Sequence, residues 1–146
     1  MDTNTFEPLI TDHKEVKSII EEILNTTNKD KQKRRDLLHN LKEELTQHER
    51  IEEDSVYPIL EKKKLTHNLT KEAYEEHHVV DILLDELEAL DFSDESWKAK
   101  LKVLQKSLLH HIKVEEDELF VKAEKELSKE ELNTIKDDII EAKENG

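Results

Sequence analysis

The chain has 146 residues, a length that fits one domain. Charged residues make up 41% of it and the net charge is −14, which argues against nucleic acids and anionic membranes as partners. One glycine, two prolines and no cysteine argue against an all-β fold, a glycine-rich phosphate loop, a disulfide framework and thiol chemistry.

The N-terminal residues contain no basic stretch followed by an apolar run, and no later stretch approaches 18 apolar residues. We therefore expect a soluble cytoplasmic protein without a membrane span. We expect residues 1–146 to form a single domain, with a helical bundle over about 8–125 and a C-terminal helix over about 128–144.

The first helix is predicted to begin near Pro8, because a proline suits a first turn. Its inward stripe is Leu9, His13, Val16, Ile20 and Leu24. Asp30 is predicted to cap a long second helix, which Pro58 should kink or end. The stripe of this second helix is Leu38, Leu41, Leu45, His48, Glu52, Val56 and Ile59.

Thr70 is predicted to cap a third helix, and Ser93 or Asp94 a fourth. Their inward rows are Ala73, His77, Val80, Asp81, Leu84 and Leu87 in the third, and Leu101, Leu104, Leu108, His111, Glu115 and Leu119 in the fourth. A capping box at residues 128–131 opens a short last helix. The prediction is an all-α fold, an antiparallel up-down four-helix bundle with an additional C-terminal helix.

The second half of the sequence repeats the first. Residues 48–57 and 111–120 share the pattern H-x-x-[IV]-E-E-D-x-[VL]-[YF], 63 residues apart. Asp12-His13 and Glu76-His77 form another matching pair, 64 residues apart. The repeat thus singles out His13, His48, His77 and His111. We expect His78 and His110 at the surface or just outside a site, and His39 and His67 at the surface.

Three pairs of polar residues have the spacing of one helix face: His48/Glu52, His77/Asp81 and His111/Glu115. Residues at i and i+4 lie about 6 Å apart along the axis and can aim at one point between helices. Burying four imidazoles and three carboxylates is costly, whereas two divalent ions balance that charge. We therefore expect a metal pair bridged by Glu52 and Glu115, with the four repeated histidines as terminal ligands. Asp81 is expected either to bind a metal or to accept an imidazole N–H.

The pattern resembles the hemerythrin-like, HHE cation-binding family of four-helix bundles over about residues 8–125. The matching motifs are Asp12-His13, His48-x-x-x-Glu52-Glu53 ending in Tyr57-Pro58, Glu76-His77, and His111-x-x-x-Glu115-Glu116. The resemblance implies a non-haem di-iron centre. Imidazole ligands also favour iron over magnesium or calcium, and manganese and zinc suit the same donors.

Two positions depart from the oxygen-carrying hemerythrins. Those proteins have an additional histidine one turn after the third-helix ligand, where this chain has Asp81. Their last carboxylate ligand lies five residues after its histidine, where this chain has Glu116 and offers Glu115 one residue earlier. The sequence is more similar to bacterial HHE proteins and to the hemerythrin-like domain of an animal iron-sensing F-box protein, which argues against simple oxygen carriage.

Other residues of the repeat have plainer interpretations. Charged runs usually form solvated faces, so Glu53, Asp54, Glu116 and Asp117 are expected in solvent. Tyr57 and Phe120 could line a pocket near the metals, but large aromatic residues at helical spacing are usually core, so they receive no functional role.

Three classes of function follow. In the first, the protein binds or senses O₂ or NO at a di-iron centre, or handles iron, and a sensor would need a separate protein partner. In the second, it is a di-iron enzyme that turns over peroxide, NO or a small substrate. In the third, it is a signalling or interaction module that needs metal only to fold. We rank them in that order.

Overall fold

The computed structural model describes residues 5–145, so Met1–Asn4, part of the segment expected to carry no targeting signal, and Gly146 lie outside it. The described part is helical, and it contains no strand. The helices are α1 (Glu7–Leu24), α2 (Lys31–Ile51), α3 (Tyr57–Glu61), α4 (His67–Ala89), α5 (Glu95–Val114), α6 (Phe120–Glu126) and α7 (Lys129–Asn145). None of the helices in the described part is long and apolar enough to cross a membrane.

Four long helices pack in a ring, as predicted. Helix α1 packs against α2 and α5, and α4 packs against α5 and α2. Short connections join consecutive helices, which makes neighbours in the chain neighbours in space. Helix α7 lies outside the ring, against α2 and the turn that follows it.

Residues 5–145 form two apolar clusters in the interior. One, between the four long helices, includes Ile20, Leu41, Leu84, Leu104 and Trp97. The other lies toward the opposite end and includes residues from the N-terminus, α3, α6 and α7. Each of the four long helices also carries one buried histidine on its inward face. These are His13, His48, His77 and His111.

A π turn interrupts each half of the bundle at the same place in the repeat. Glu52–Val56 separates α2 from α3, and Glu115–Leu119 separates α5 from α6. In each turn the backbone N–H after the turn donates to the carbonyl of the glutamate that opens it. The second half has Val121 where the first has Pro58, so the turn forms with or without proline. Such turns are widened and frequently mark functional sites.

The ends of the helices match the predictions in part. Asp94 caps α5 through the Ser96 N–H, and the capping box at the start of α7 forms. Asp30 precedes α2, but its carboxylate accepts from Thr27 instead of capping the helix. The predicted cap at Thr70 is wrong, since α4 begins at His67 and the Thr70 hydroxyl donates to a carbonyl one turn earlier.

Candidate metal centre

Six of the seven predicted site residues converge in the bundle interior. They form two overlapping groups whose ligand atoms lie within 4.8 Å of one another. The group on the α1–α2 side consists of His13, His48, Glu52 and Glu115, and the group on the α4–α5 side of His77, His111, Glu52 and Glu115. All six are buried, and the two glutamates belong to both groups. We call these the first and the second subsite.

The Nε2 atoms of the four histidines face the two shared glutamates. His13 Nε2 lies 3.0 Å from Glu115 Oε1, and His77 Nε2 lies 3.0 Å from Glu52 Oε1. The i,i+4 contacts are longer, at 3.3 Å for His48 with Glu52 and 3.5 Å for His111 with Glu115. Each carboxylate therefore faces one histidine of its own helix and one from a neighbouring helix.

The Nδ1 atom of each histidine points away from this centre and meets another carboxylate. His48 donates to Asp12 at 2.8 Å and His111 to Glu76 at 2.7 Å. The other two pairs are His13 with Glu116 at 2.6 Å and His77 with Glu53 at 2.7 Å. A carboxylate can only accept, so each contact places a proton on Nδ1 and leaves Nε2 as the ring atom that faces inward. Such partners orient the imidazoles of metal sites.

These contacts correct the expectation that Glu53 and Glu116 are merely solvated. Both are half-buried, whereas Asp54 and Asp117, the next residues, are exposed as expected. The repeat contained the signal, because Glu53 and Glu116 occupy equivalent positions and each contacts a histidine from the other half. The four remaining histidines, His39, His67, His78 and His110, are exposed as expected.

Tyr57 is a residue of the centre that sequence reasoning assigned to the core alone. Its hydroxyl donates a short hydrogen bond to Glu115 and lies 3.1 Å from Glu52 Oε1. It also lies 3.3 Å from His77 Nε2. Burial and the neighbouring carboxylates Glu115 and Glu52 raise the pKa of this phenol well above its ordinary value, so it stays protonated. The equivalent residue of the other half is Phe120, which has no hydroxyl.

Asp81 lies outside both groups of converging atoms. It is exposed, and it forms a hydrogen bond with Glu49, a nearly buried residue of α2. Burial and the hydrogen bond with Asp81 together raise the pKa of Glu49 to about 9, against the lowering effect of His77. Asp81 therefore pairs with another acid, Glu49, and not with the converging residues.

Several buried polar atoms at the centre form no hydrogen bond of good geometry with any residue that the structure describes, although His13 Nε2 and Glu115 Oε1 lie 3.0 Å apart. These buried atoms are the Nε2 atoms of His13, His48 and His111, Glu52 Oε2 and Glu115 Oε1. Leaving buried polar atoms unpaired costs about 1–3 kcal/mol each. All five are nitrogen or oxygen donors aimed at the same small volume, which is the donor set that a transition-metal ion would satisfy. The residues therefore fit a bound metal.

Without metal, the buried carboxylates stabilise the charged form of the histidines, and the histidines stabilise the charged form of Glu52. Burial alone would lower the pKa of the His48 imidazole, but Glu52 and Asp12 raise it well above its ordinary value. In the same way, Glu52 overcomes the effect of burial on His77 and raises its pKa to about 10. Burial would raise the pKa of Glu52, but the histidines hold it well below its usual range. A metal ion that binds at the centre would therefore have to displace protons from the imidazoles.

A narrow cavity borders the four histidines. Its apolar lining comes from all four long helices, as Val16, Leu45, Val80, Leu108 and Ile112. Glu49 and Asp12 contribute its polar lining together with the four histidines. A small molecule that reached the centre from this side would meet aliphatic walls.

The comparison with known families agrees with this geometry. No curated protein matches the sequence. The family model of the hemerythrin HHE cation binding domain matches residues 4–123, which include all six converging residues and the four carboxylates that orient the histidines. The predicted resemblance is confirmed: this chain belongs to the hemerythrin HHE cation-binding family.

Proposed function

We propose that this protein holds a pair of iron ions and binds or senses O₂ or NO at them. The observation that carries the proposal is the set of unpartnered Nε2 and carboxylate oxygen atoms facing one another in the bundle interior. The family match supports metal binding, and the donor chemistry supports iron.

Each subsite offers two imidazoles, which would be neutral once metal has displaced their protons, and the two carboxylates lie between the subsites. His13 and His48 would hold one ion, His77 and His111 the other, and Glu52 and Glu115 would bridge them. Two divalent ions would more than offset the two negative charges of the shared glutamates, and the carboxylates that orient the histidines would take up the excess positive charge. Four imidazoles disfavour magnesium and calcium, which prefer oxygen ligands, whereas manganese and zinc remain competitors for the same donors.

Bound iron would supply a redox-active centre with coordination positions that six protein side chains do not fill. Protein residues then decide what reaches it. The aliphatic walls of the cavity, including Val16 and Leu108, favour a small, weakly polar ligand over a charged organic substrate. The Nδ1 partners hold the histidines in one orientation.

Gas binding can be tested on protein loaded with Fe(II) without oxygen. We expect about two iron ions per chain and a change in the visible spectrum on adding O₂ or NO that reverses when the gas is removed. Protein carrying Glu52→Gln and Glu115→Gln together is the control and should show little of either. A spectrum that does not respond to either gas would contradict the proposal.

The same preparation separates the other two classes of function. Sustained consumption of O₂, NO or peroxide in the presence of a reductant would indicate an enzyme. A large loss of helicity on chelation, without any response to gas, would indicate a metal-dependent structural module.

A further inference from the structure

The C-terminal helix reaches the candidate metal centre through one lysine. Lys143 Nζ lies 2.5 Å from Asp12 Oδ1, and the other oxygen of the same carboxylate, Oδ2, accepts the His48 Nδ1–H at 2.8 Å. A continuous chain of contacts therefore runs from α7 through Asp12 to a residue of the first subsite. Lys143 lies beyond residues 4–123, the part of the chain that matches the family.

The repeat shows that this contact belongs to one half only. Glu76 is the counterpart of Asp12 and accepts from His111 Nδ1 at 2.7 Å. Its other oxygen faces the exposed imidazole of His110 at 3.7 Å instead of a lysine. The two subsites thus have matching ligands and different surroundings.

Helix α7 is firmly docked where it approaches the centre. Ile135 and Ile139 are fully buried in the second apolar cluster, against residues such as Leu9 and Val56. Near the start of α7, Glu131 pairs with Lys63 at 2.9 Å. Because Asp12 is only 7% exposed, its ion pair with Lys143 is shielded from water more than a surface pair.

Lys143 can act on His48 through the position of Asp12. The Lys143 ammonium group holds one oxygen of the Asp12 carboxylate, and the His48 Nδ1–H meets the other. A carboxylate held at both oxygens has little freedom to rotate, so it fixes the orientation of the His48 ring and directs Nε2 at the first subsite.

We propose that Lys143 is a positioning residue through which the C-terminal helix strengthens metal binding at the first subsite and not at the second. This inference rests on the proposed metal pair. By thermodynamic reciprocity, metal at the first subsite strengthens the docking of α7. The helix outside the family's bundle is therefore coupled to the occupancy of one metal position.

The test compares Co(II) affinity in single and double variants by competition with a chelator. Lys143→Met should weaken binding by up to about tenfold, the lower end of the 10–100-fold effect of losing a direct partner of a metal-binding histidine. Lys143→Arg should restore most of the affinity. Lys100→Met removes a lysine that pairs with Glu86 between α4 and α5, and this control should leave the affinity unchanged.

Single-subsite backgrounds locate the effect. With the second subsite disabled by His111→Ala, adding Lys143→Met should still weaken Co(II) binding. With the first subsite disabled by His48→Ala, the same addition should change nothing. An equal loss in both backgrounds, or no loss in either, would overturn the role of Lys143. Failure of the wild-type protein to bind Co(II) would overturn the metal pair itself.

Hydrogen exchange gives a readout that needs no variant. Amides of Lys129–Asn145 should exchange more slowly when wild-type protein is loaded with Co(II), and Lys143→Met should reduce that difference. If Lys143→Met fails to fold, the wild-type measurement decides. Unchanged exchange in α7 on loading would overturn the coupling.

Discussion

The Tyr57 hydroxyl donates a hydrogen bond to the carboxylate of Glu115, a residue from the other half of the internal repeat. The contact joins the two π turns, because Glu115 opens the second turn and Tyr57 directly follows the first. Phe120 holds the equivalent position in the second half, where it stacks on Phe6 with ring centroids 4.3 Å apart. One half of the repeat thus supplies a hydroxyl to the centre and the other an apolar ring.

Replacing Tyr57 by phenylalanine should destabilise the metal-free protein. The variant removes a buried hydrogen bond to a charged group, which is worth about 1.5–3 kcal/mol in the free energy of unfolding. Urea denaturation in the presence of a chelator measures the change. Tyr74→Phe is the matched control, because Tyr74 packs against Tyr57 at 5.1 Å but is half-exposed, and it should change stability by less than about 0.5 kcal/mol. Equal losses in the two variants would contradict a specific role for the Tyr57 hydroxyl.

Metal affinity should depend on Glu53 and Glu116 but not on the acidic residues beside them. Glu53→Gln and Glu116→Gln each replace a charged acceptor of an imidazole N–H, so each should lower the affinity by about 10–100-fold. Asp54→Asn and Asp117→Asn remove the same charge from exposed positions and should have little effect. Competition titration with Fe(II) or Co(II) measures all four, and similar losses would indicate that net charge alone governs binding.

The shared carboxylates should be needed for occupancy. Glu52→Ala or Glu115→Ala removes a donor from both subsites, so the metal content of protein purified after growth in iron-rich medium should fall well below that of the wild type. His39→Ala removes a histidine that is 68% exposed and should leave the metal content unchanged. Elemental analysis distinguishes these outcomes, and equal metal content in all the variants would contradict the ligand assignment.

The stability of the metal-free protein should fall as pH rises. The folded-state pKa of His77 is raised from 6.5 to about 10, so its contribution is complete below pH 6.5 and is lost toward pH 10. The raised pKa values of His48 and His111 act in the same direction. Thermal melting between pH 6 and 10 with a chelator should therefore show a decreasing midpoint.

Metal binding should show the opposite trend with pH. Because metal ions must displace protons from the imidazoles, affinity should rise as pH rises over the same range. A melting temperature that rises with pH in the metal-free protein would contradict the charge balance described for the centre.

The sequence was sufficient for the ring of helices and for most of the converging residues. Hydrophobic spacing located the long helices, and the repeat separated four buried histidines from four exposed ones. Glu52 and Glu115 could be found because each lies on an inward row and four residues after a histidine, which an α-helix places on one face.

The π turns explain why Tyr57 was not recognised. On a regular α-helix, Tyr57 would lie about 140° around the axis from Glu52, away from the centre. The widened turn changes that relation and brings the hydroxyl to 3.1 Å from Glu52 Oε1. The predicted inward row runs on through Val56 and Ile59 at ordinary helical spacing, so the spacing gives no sign of the turn.

Contacts between helices explain the remaining differences. Glu53 and Glu116 contact histidines on other helices, and a helix projection of one segment does not show this. Asp81 lies on the predicted inward row at its edge, where Glu49 of the neighbouring helix meets it. The partner of Asp12 on α7 lies 131 residues away in the sequence.

Anomalous diffraction from crystals of the iron-loaded protein tests the central claim most directly. We expect two iron peaks inside the bundle, one beside the Nε2 atoms of His13 and His48 and one beside those of His77 and His111, with Glu52 and Glu115 between them. Iron found only at surface carboxylates, or no peak at this centre in fully loaded crystals, would contradict it.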